Sequence, residues 1–189
     1  RMNICVYCSS SEAVDKAYFD AAQDLGQAIG AGNHALVYGG SNVGLMGALA
    51  KSVRTAGGYI LGVMPVVIAD HGIGFDKVDE LIVTDTMRER KRIMEERSDA
   101  FVALPGGFGT LDEFVEILTL KQLRYHTKPT VLLNIAGFYQ PLLEFFEKLY
   151  SGHFAKSDSR DLYSVCASSS ELMAYLDGYQ EPHIDHKWF

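Results

Sequence analysis

The chain has 189 residues, 48% of them apolar and 22% charged, which is enough to bury one sizeable core and too little for two independent ones. A formal charge of -7 and a pI near 5.3 exclude a broad nucleic-acid or anionic-membrane footprint, since those surfaces demand clustered cations. No stretch approaches the roughly 20 apolar residues of a membrane span, and Arg1-Met2-Asn3 leads into a strand-like run rather than a signal-peptide pattern. A cytoplasmic protein is expected.

Read in chain order, short apolar runs rich in β-branched and aromatic residues alternate with segments of helical period. "NICVYC" (3–8) is a strand and 15–30 a helix. "HALVY" (34–38) and "YILGVM" (59–64) are strands on either side of a helix over 43–56. "ELIVT" (80–84) precedes a helix over 86–98, and "DAFVAL" (99–104) one over 110–122. "PTVLLN" (129–134) and the weaker "LYSVC" (162–166) are followed by helices over 139–150 and 168–177. Most of the runs are too short for helices and are read as strands. Strand–helix alternation implies βαβ crossovers, hence a doubly wound, Rossmann-like α/β fold with a parallel sheet covered on both faces. A single domain over 1–180 is expected, with a surface tail over 181–189; the surface character is expected to begin at Tyr179. His183 and His186 in that tail are read as an incidental pair, and no metal site is expected. Cys5 and Cys8 form C-x-x-C, but on a strand they leave by opposite faces, so they are read as buried thiols rather than a redox pair.

A doubly wound sheet binds ligands outside the carboxyl ends of its strands, and two strand-to-helix turns there are rich in glycine. Behind "DAFVAL", Pro105 stops the ladder, Gly106, Gly107 and Gly109 allow positive φ and a close backbone approach, and a helix is expected to begin near Thr110. Free amides at a helix start suit a phosphate, and the Thr110 hydroxyl adds a donor. The second turn follows "HALVY": Gly39, Gly40 and Ser41, then Gly44 and Gly47. The two turns together would suit a nucleotide. The dinucleotide fingerprint fails, because Ser41 replaces its second glycine and no acid follows about 20 residues on, and no G-K-[ST] marks a P-loop.

Charged residues crowd two places. Thr110-x-x-Glu113 reads either as a capping box or as part of a site; Asp112 and Glu116 lie beside it, and Glu113 and Glu116 share a helix face. In "DTMRERKRIMEER" (85–97), Lys91 with Glu95 and Arg92 with Glu96 are possible i,i+4 pairs of a solvated helix. Yet Arg88, Arg90, Lys91 and Arg92 cluster near the helix start, where cations oppose the macrodipole. An anionic ligand would relieve that conflict. The two clusters follow different strands and are expected to face one crevice, which suggests a phosphorylated sugar substrate.

"PGGFGTLDE" resembles the PGGxGTxxE signature of the LONELY GUY family of cytokinin riboside 5'-monophosphate phosphoribohydrolases, once mislabelled lysine decarboxylases. "TMRERK" resembles the family's M-H-x-R-K segment, and the likeness runs from "VYCSSS" through "VYGGSNVGLMGALA" and "GVMP" to "QLRYHTKP". The resemblance implies a homodimer that hydrolyses the N-glycosidic bond of a nucleoside 5'-monophosphate, with no metal or redox cofactor. It also implies Arg90 and Glu113 as the catalytic pair, and substrate contacts from Ser9, Gly39, Gly40, Ser41, Met46, Lys91, Gly106, Gly107, Gly109, Thr110, Glu116 and Thr119. Two departures leave the base open between N6-prenylated adenine and adenine: Arg88 stands where the family usually has histidine, and "VVIADHGIGFDKVD" lacks an acid soon after Pro65. Because arginine stays protonated, Arg90 is expected to orient Glu113 and bind substrate, and Glu113 to act at the anomeric carbon. A nucleotide or cofactor carrier of related fold is the alternative. A decarboxylase is disfavoured, because no lysine stands in a context that argues for a Schiff base.

Overall fold

The computed structural model describes residues 1–183. Seven strands, β1 (Asn3–Tyr7), β2 (Ala35–Tyr38), β3 (Tyr59–Pro65), β4 (Glu80–Thr84), β5 (Ala100–Ala103), β6 (Thr130–Leu133) and β7 (Ser164–Cys166), form one sheet in the order β4-β3-β2-β1-β5-β6-β7. Every neighbouring pair is parallel. The helices are α1 (Lys16–Ala31), α2 (Gly44–Thr55), α3 (Val66–Ala69), α4 (Met87–Glu96), α5 (Phe108–Gln122), α6 (Gln140–Ser151) and α7 (Ser169–Asp177). All seven strands and six of the helices answer to segments read from the sequence. The four-residue α3 has no counterpart there, since one turn is too short to show a period.

Burial on both faces explains the near-continuous apolar runs. The even-numbered side chains Ile4, Val6 and Cys8 join one core cluster with Leu25 of α1, Leu49 of α2 and Leu172 of α7. Their odd neighbours Cys5 and Tyr7 join another with Met94 of α4 and Ile117 of α5. Cys5 and Cys8 thus lie on opposite faces as buried thiols, and Cys5, Cys8 and Cys166 are free. A third cluster packs Phe114 of α5 against Tyr139, Phe146 and Tyr150 at α6.

Strand order reverses between β1 and β5: the chain builds outward through β2, β3 and β4 on one side, then crosses back to lay β5, β6 and β7 on the other. Two adjacent strands whose following helices cover opposite faces leave a crevice at their carboxyl ends. Tyr7 ends β1 and Ala103 ends β5 in register with it, so the loops after Tyr7 and Ala103 flank that crevice.

Candidate active site

A cavity of about 350 Å³ opens at the switch point, lined among others by Tyr7, Cys8, Ser9, Gly39, Arg90, Gly107, Thr110 and Glu113. With Ile68 and Ile73 also in its lining, the segments after five strands, β1, β2, β3, β4 and β5, converge on it.

Arg90 and Glu113 face each other across it. Each is 7% exposed, and Arg90 Nη1 lies 3.5 Å from Glu113 Oε1. Arg90 reaches this place because α4 starts sharply: the Thr86 N-cap accepts from Glu89 N–H, while the Glu89 carboxylate reaches back to the N–H of Asp85, one residue before the cap, which together fix where the helix begins. Arg90 Nε then donates to the Val63 carbonyl of β3 at 3.0 Å. Gly39 makes room for the guanidinium; a Cβ there would overlap Arg90 Nη2 and Met46 Cε. Burial raises the Glu113 carboxyl to about 7, against the pull of the Arg90 charge and with a further push from Asp112. At neutral pH the group is divided between its acid and carboxylate forms.

The capping-box reading of Thr110 and Glu113 does not hold. The helix begins at Phe108, after Gly107, so Thr110 already lies in its first turn and Glu113 turns toward Arg90. The Thr110 side chain packs on Gly106, where a Cβ would collide with its hydroxyl, whereas Cβ positions at Gly107 and Gly109 meet nothing within 4 Å. None of these three glycines has positive φ; in the two glycine turns that conformation falls on Gly40 and Gly44. Gly106 is thus required for packing, and Gly107 and Gly109 for leaving the α5 N-terminus open to the cavity. The turn after β2 differs. Its first helical amide, Gly44 N–H, donates to Glu12 Oε1 at 2.6 Å, so a side chain of the protein already holds the α2 N-terminus. Of the two turns read as phosphate sites, one is open.

Two cations of α4, Arg90 and Lys91, find carboxylates on α5 rather than on their own helix. Lys91 bonds Asp112 at 3.0 Å and makes a close contact with Glu116, not with Glu95; burial pulls the Lys91 ammonium down, but these two partners lift it above its ordinary range. Arg92 does pair with Glu96. Adjacent residues on α4, Arg90 and Lys91, thus clasp adjacent residues on α5, Asp112 and Glu113. This arrangement also resolves the opposition of those cations to the helix dipole.

Of the residues expected to touch substrate, Ser9, Gly39, Ser41, Met46, Gly107, Gly109 and Thr110 line the cavity with Arg90 and Glu113. Lys91, Glu116, Gly40, Gly106 and Thr119 do not. Gly40 packs near Met64, and Thr119 bonds back to the Val115 carbonyl and faces a separate surface hollow with Glu116. Arg88 is exposed and is not part of the cavity wall, so its replacement of histidine leaves the lining by α4 to Met87, Arg90 and Met94. Sequence reasoning missed the apolar wall, Ile68, Ile73, Met87 and Met94. Ile68 and Ile73 sit on α3 and the loop after it, where no periodicity marks a face. Ser10 and Ser11 also line the cavity and were discoverable as part of the turn after the first strand.

A family model described as "Possible lysine decarboxylase" matches residues 46–176. The chain is 40% identical over 182 residues to "Cytokinin riboside 5'-monophosphate phosphoribohydrolase LOG2" of Arabidopsis thaliana, covering 96% of this chain and 85% of that one. It is also 40% identical over 180 residues to the probable phosphoribohydrolase LOGL2 of Oryza sativa subsp. japonica, covering 95% and 74%. The chain belongs to the LONELY GUY family. Among solved structures, this family member superposes on the molybdenum cofactor binding protein of Rippkaea orientalis with a TM-score of 0.72 at 25% identity, over 94% and 96% of the two chains. The molybdenum cofactor carrier protein of Chlamydomonas reinhardtii gives 0.71 at 27%, over 94% and 97%. These likenesses agree with the switch-point architecture.

Proposed function

We propose that this protein hydrolyses the N-glycosidic bond of a cytokinin riboside 5'-monophosphate or of AMP, releasing the base and ribose 5-phosphate. One observation carries the reading: the buried Arg90–Glu113 pair beside an open helix N-terminus. The 5'-phosphate accepts from the amides at Gly107 to Gly109 and from the Thr110 hydroxyl, where the positive end of the α5 dipole favours an anion. The α2 turn is already neutralised by Glu12, which leaves the other end of the cavity, with Met46, Ile68, Ile73 and Met87, for the base and an apolar substituent.

Cleavage builds oxocarbenium charge on the ribose. The Glu113 carboxylate stabilises that charge and takes the proton of the attacking water, which bonds to C1' as the C1'–N bond breaks. Arg90 remains protonated and is braced by Val63; it orients Glu113 and lowers the cost of ionising it in a buried site. The proton for the departing base comes from solvent. Lys91 and Glu116, tied to each other, hold α4 against α5, and Thr119, which faces a separate hollow, has no part in binding substrate in this reading.

A carrier of a phosphorylated cofactor is the second reading, favoured by the two structural likenesses to molybdenum cofactor proteins. A buried carboxylate facing the bound anion's sugar counts against it, because a carrier gains nothing from that repulsion. No lysine lines the cavity among the described residues, so a Schiff-base decarboxylation has no nucleophile there. We also propose a cytoplasmic homodimer: the three free thiols suit a reducing compartment, and Phe108, 93% exposed at the start of α5, suits coverage by a second subunit. The test is incubation with AMP and with N6-prenylated AMP, without added cofactor, followed by chromatography for free base. Release of base from either supports the hydrolase. Tight binding of both nucleotides with no base released by wild type supports the carrier.

A further inference from the structure

Lys121 lies two turns beyond Glu113 on α5, on the far side of the domain from the active-site loops, and its burial is unusual for its chemistry. The residue is 5% exposed. Its Nζ donates to Tyr179 Oη at 3.0 Å, and the ring of Tyr179 lies 5.2 Å from it. The tyrosine hydroxyl gives its own proton to the Thr127 carbonyl at 2.6 Å, so it meets the ammonium as a neutral acceptor. Among the described residues no carboxylate lies within 4 Å of the ammonium. Lys91, by contrast, has two.

A buried ammonium has three donors, and Tyr179 takes one. Burial draws Lys121 down to about 8, with Glu181 pulling weakly the other way, which is how an ammonium behaves when its charge lacks a close counter-ion. It borders a pocket of about 190 Å³ whose other walls include Arg124, Thr127, Glu181 and His183. His126 also faces it but is held neutral, pulled down to about 4 by burial, with Nε2 on the Ile117 carbonyl and Nδ1 accepting from Lys128 N–H. Glu181 is the pocket's acid.

We propose that this pocket is a second anion site, separate from the active site, that takes a small phosphate or carboxylate on the Lys121 ammonium and the Thr127 turn. The anion supplies a counter-charge that no described residue places within 4 Å of the ammonium, ties the segment around Tyr179 to α5, and binds with uptake of a proton when the pH exceeds about 8. The tail read as surface chain from Tyr179 onward is in fact docked at its start, through Tyr179; His186 lies outside the described residues.

The experiment compares thermal midpoints of wild type and Lys121→Met, each with and without inorganic phosphate, at pH 7 and pH 9. Phosphate at the active site stabilises both proteins alike, so the difference isolates the pocket. At about ten times Kd the folded-to-unfolded ratio rises about elevenfold, so wild type gains a few degrees more than the variant at pH 7, and the extra gain shrinks at pH 9. The same comparison with acetate in place of phosphate tells a general anion site from a phosphate site. Because Lys121→Met removes a buried charge and can alter folding, wild type is also labelled with acetic anhydride and the Lys121 peptide weighed: phosphate slows labelling of Lys121 several-fold at pH 8. Equal phosphate shifts in the two proteins, or labelling of Lys121 that phosphate leaves unchanged, overturns the proposal. Neither result bears on the hydrolase reading.

Discussion

Replacing Glu113 by glutamine sets activity against stability, and the structure gives the size of both effects. Glutamine keeps the shape of the protonated acid, so it removes the carboxylate without opening a cavity. In the folded protein the carboxyl titrates at about 7 against an ordinary 4.5. The native state therefore holds a proton that the unfolded chain has lost between those two values, and the contribution of this group to stability falls as pH rises through that window. The gap corresponds to about 3 kcal/mol at 1.36 kcal/mol per pH unit. Glu113→Gln escapes that cost, so at pH 8 it melts several degrees above wild type, and below about pH 4.5 the two coincide. Its turnover falls by about 10² to 10⁴, the usual worth of a positioned base. Wild-type turnover in turn rises about tenfold between pH 6 and pH 8, as the carboxylate fraction grows from about one-tenth to about nine-tenths. Calorimetry from pH 4 to 8 and a pH–rate profile on the nucleotide test both claims. A variant that melts below wild type at pH 8, or that keeps its turnover within about threefold, refutes the reasoning.

Arg90→Met removes the principal charge that favours ionised Glu113, so the acid limb of the pH profile moves to higher pH and both affinity and rate drop; an unmoved limb means that Arg90 does not govern Glu113. Gly39→Ala forces the guanidinium and Met46 aside, and turnover falls at least about tenfold with the circular dichroism spectrum unchanged; wild-type kinetics would show that the pair tolerates displacement. Thr86→Ala removes the N-cap of α4 and costs about 1 kcal/mol, read as a drop of about 2–4 °C in melting temperature for a chain of this length. Turnover is less sensitive there, because Val63 still braces Arg90.

The ladder of strands and helices was legible because its signal is local. "ICVYC" (4–8) and "AFVA" (100–103) are buried on both faces, so every position is apolar, and the six longer helices each expose one face to water. Boundaries shifted where tertiary contacts override propensity: α5 starts two residues before Thr110 because Gly107, not the threonine, precedes the helix. Glu113 and Arg90 were legible as a pair from their motifs, but the role of their neighbours was not. Lys91 and Glu95 are spaced like an ion pair on one helix, and only the approach of α5 shows that Lys91 belongs to Asp112 and Glu116 instead.

By itself the sequence determined that this chain is a parallel α/β protein, that its glycine turns lie at the carboxyl ends of strands, and that a carboxylate stands beside a glycine-rich helix start. Such properties depend on residues within a few positions of one another, where the periods of helix and strand and the needs of turns operate. Tertiary structure alone decided that Glu12 fills one of the two turns, that the apolar wall comes from α3, its loop and α4 together, and that Glu113 titrates near neutrality. Those outcomes depend on groups distant in sequence sharing one low-dielectric space, and a carboxylate's charge is set by how much water that space leaves it.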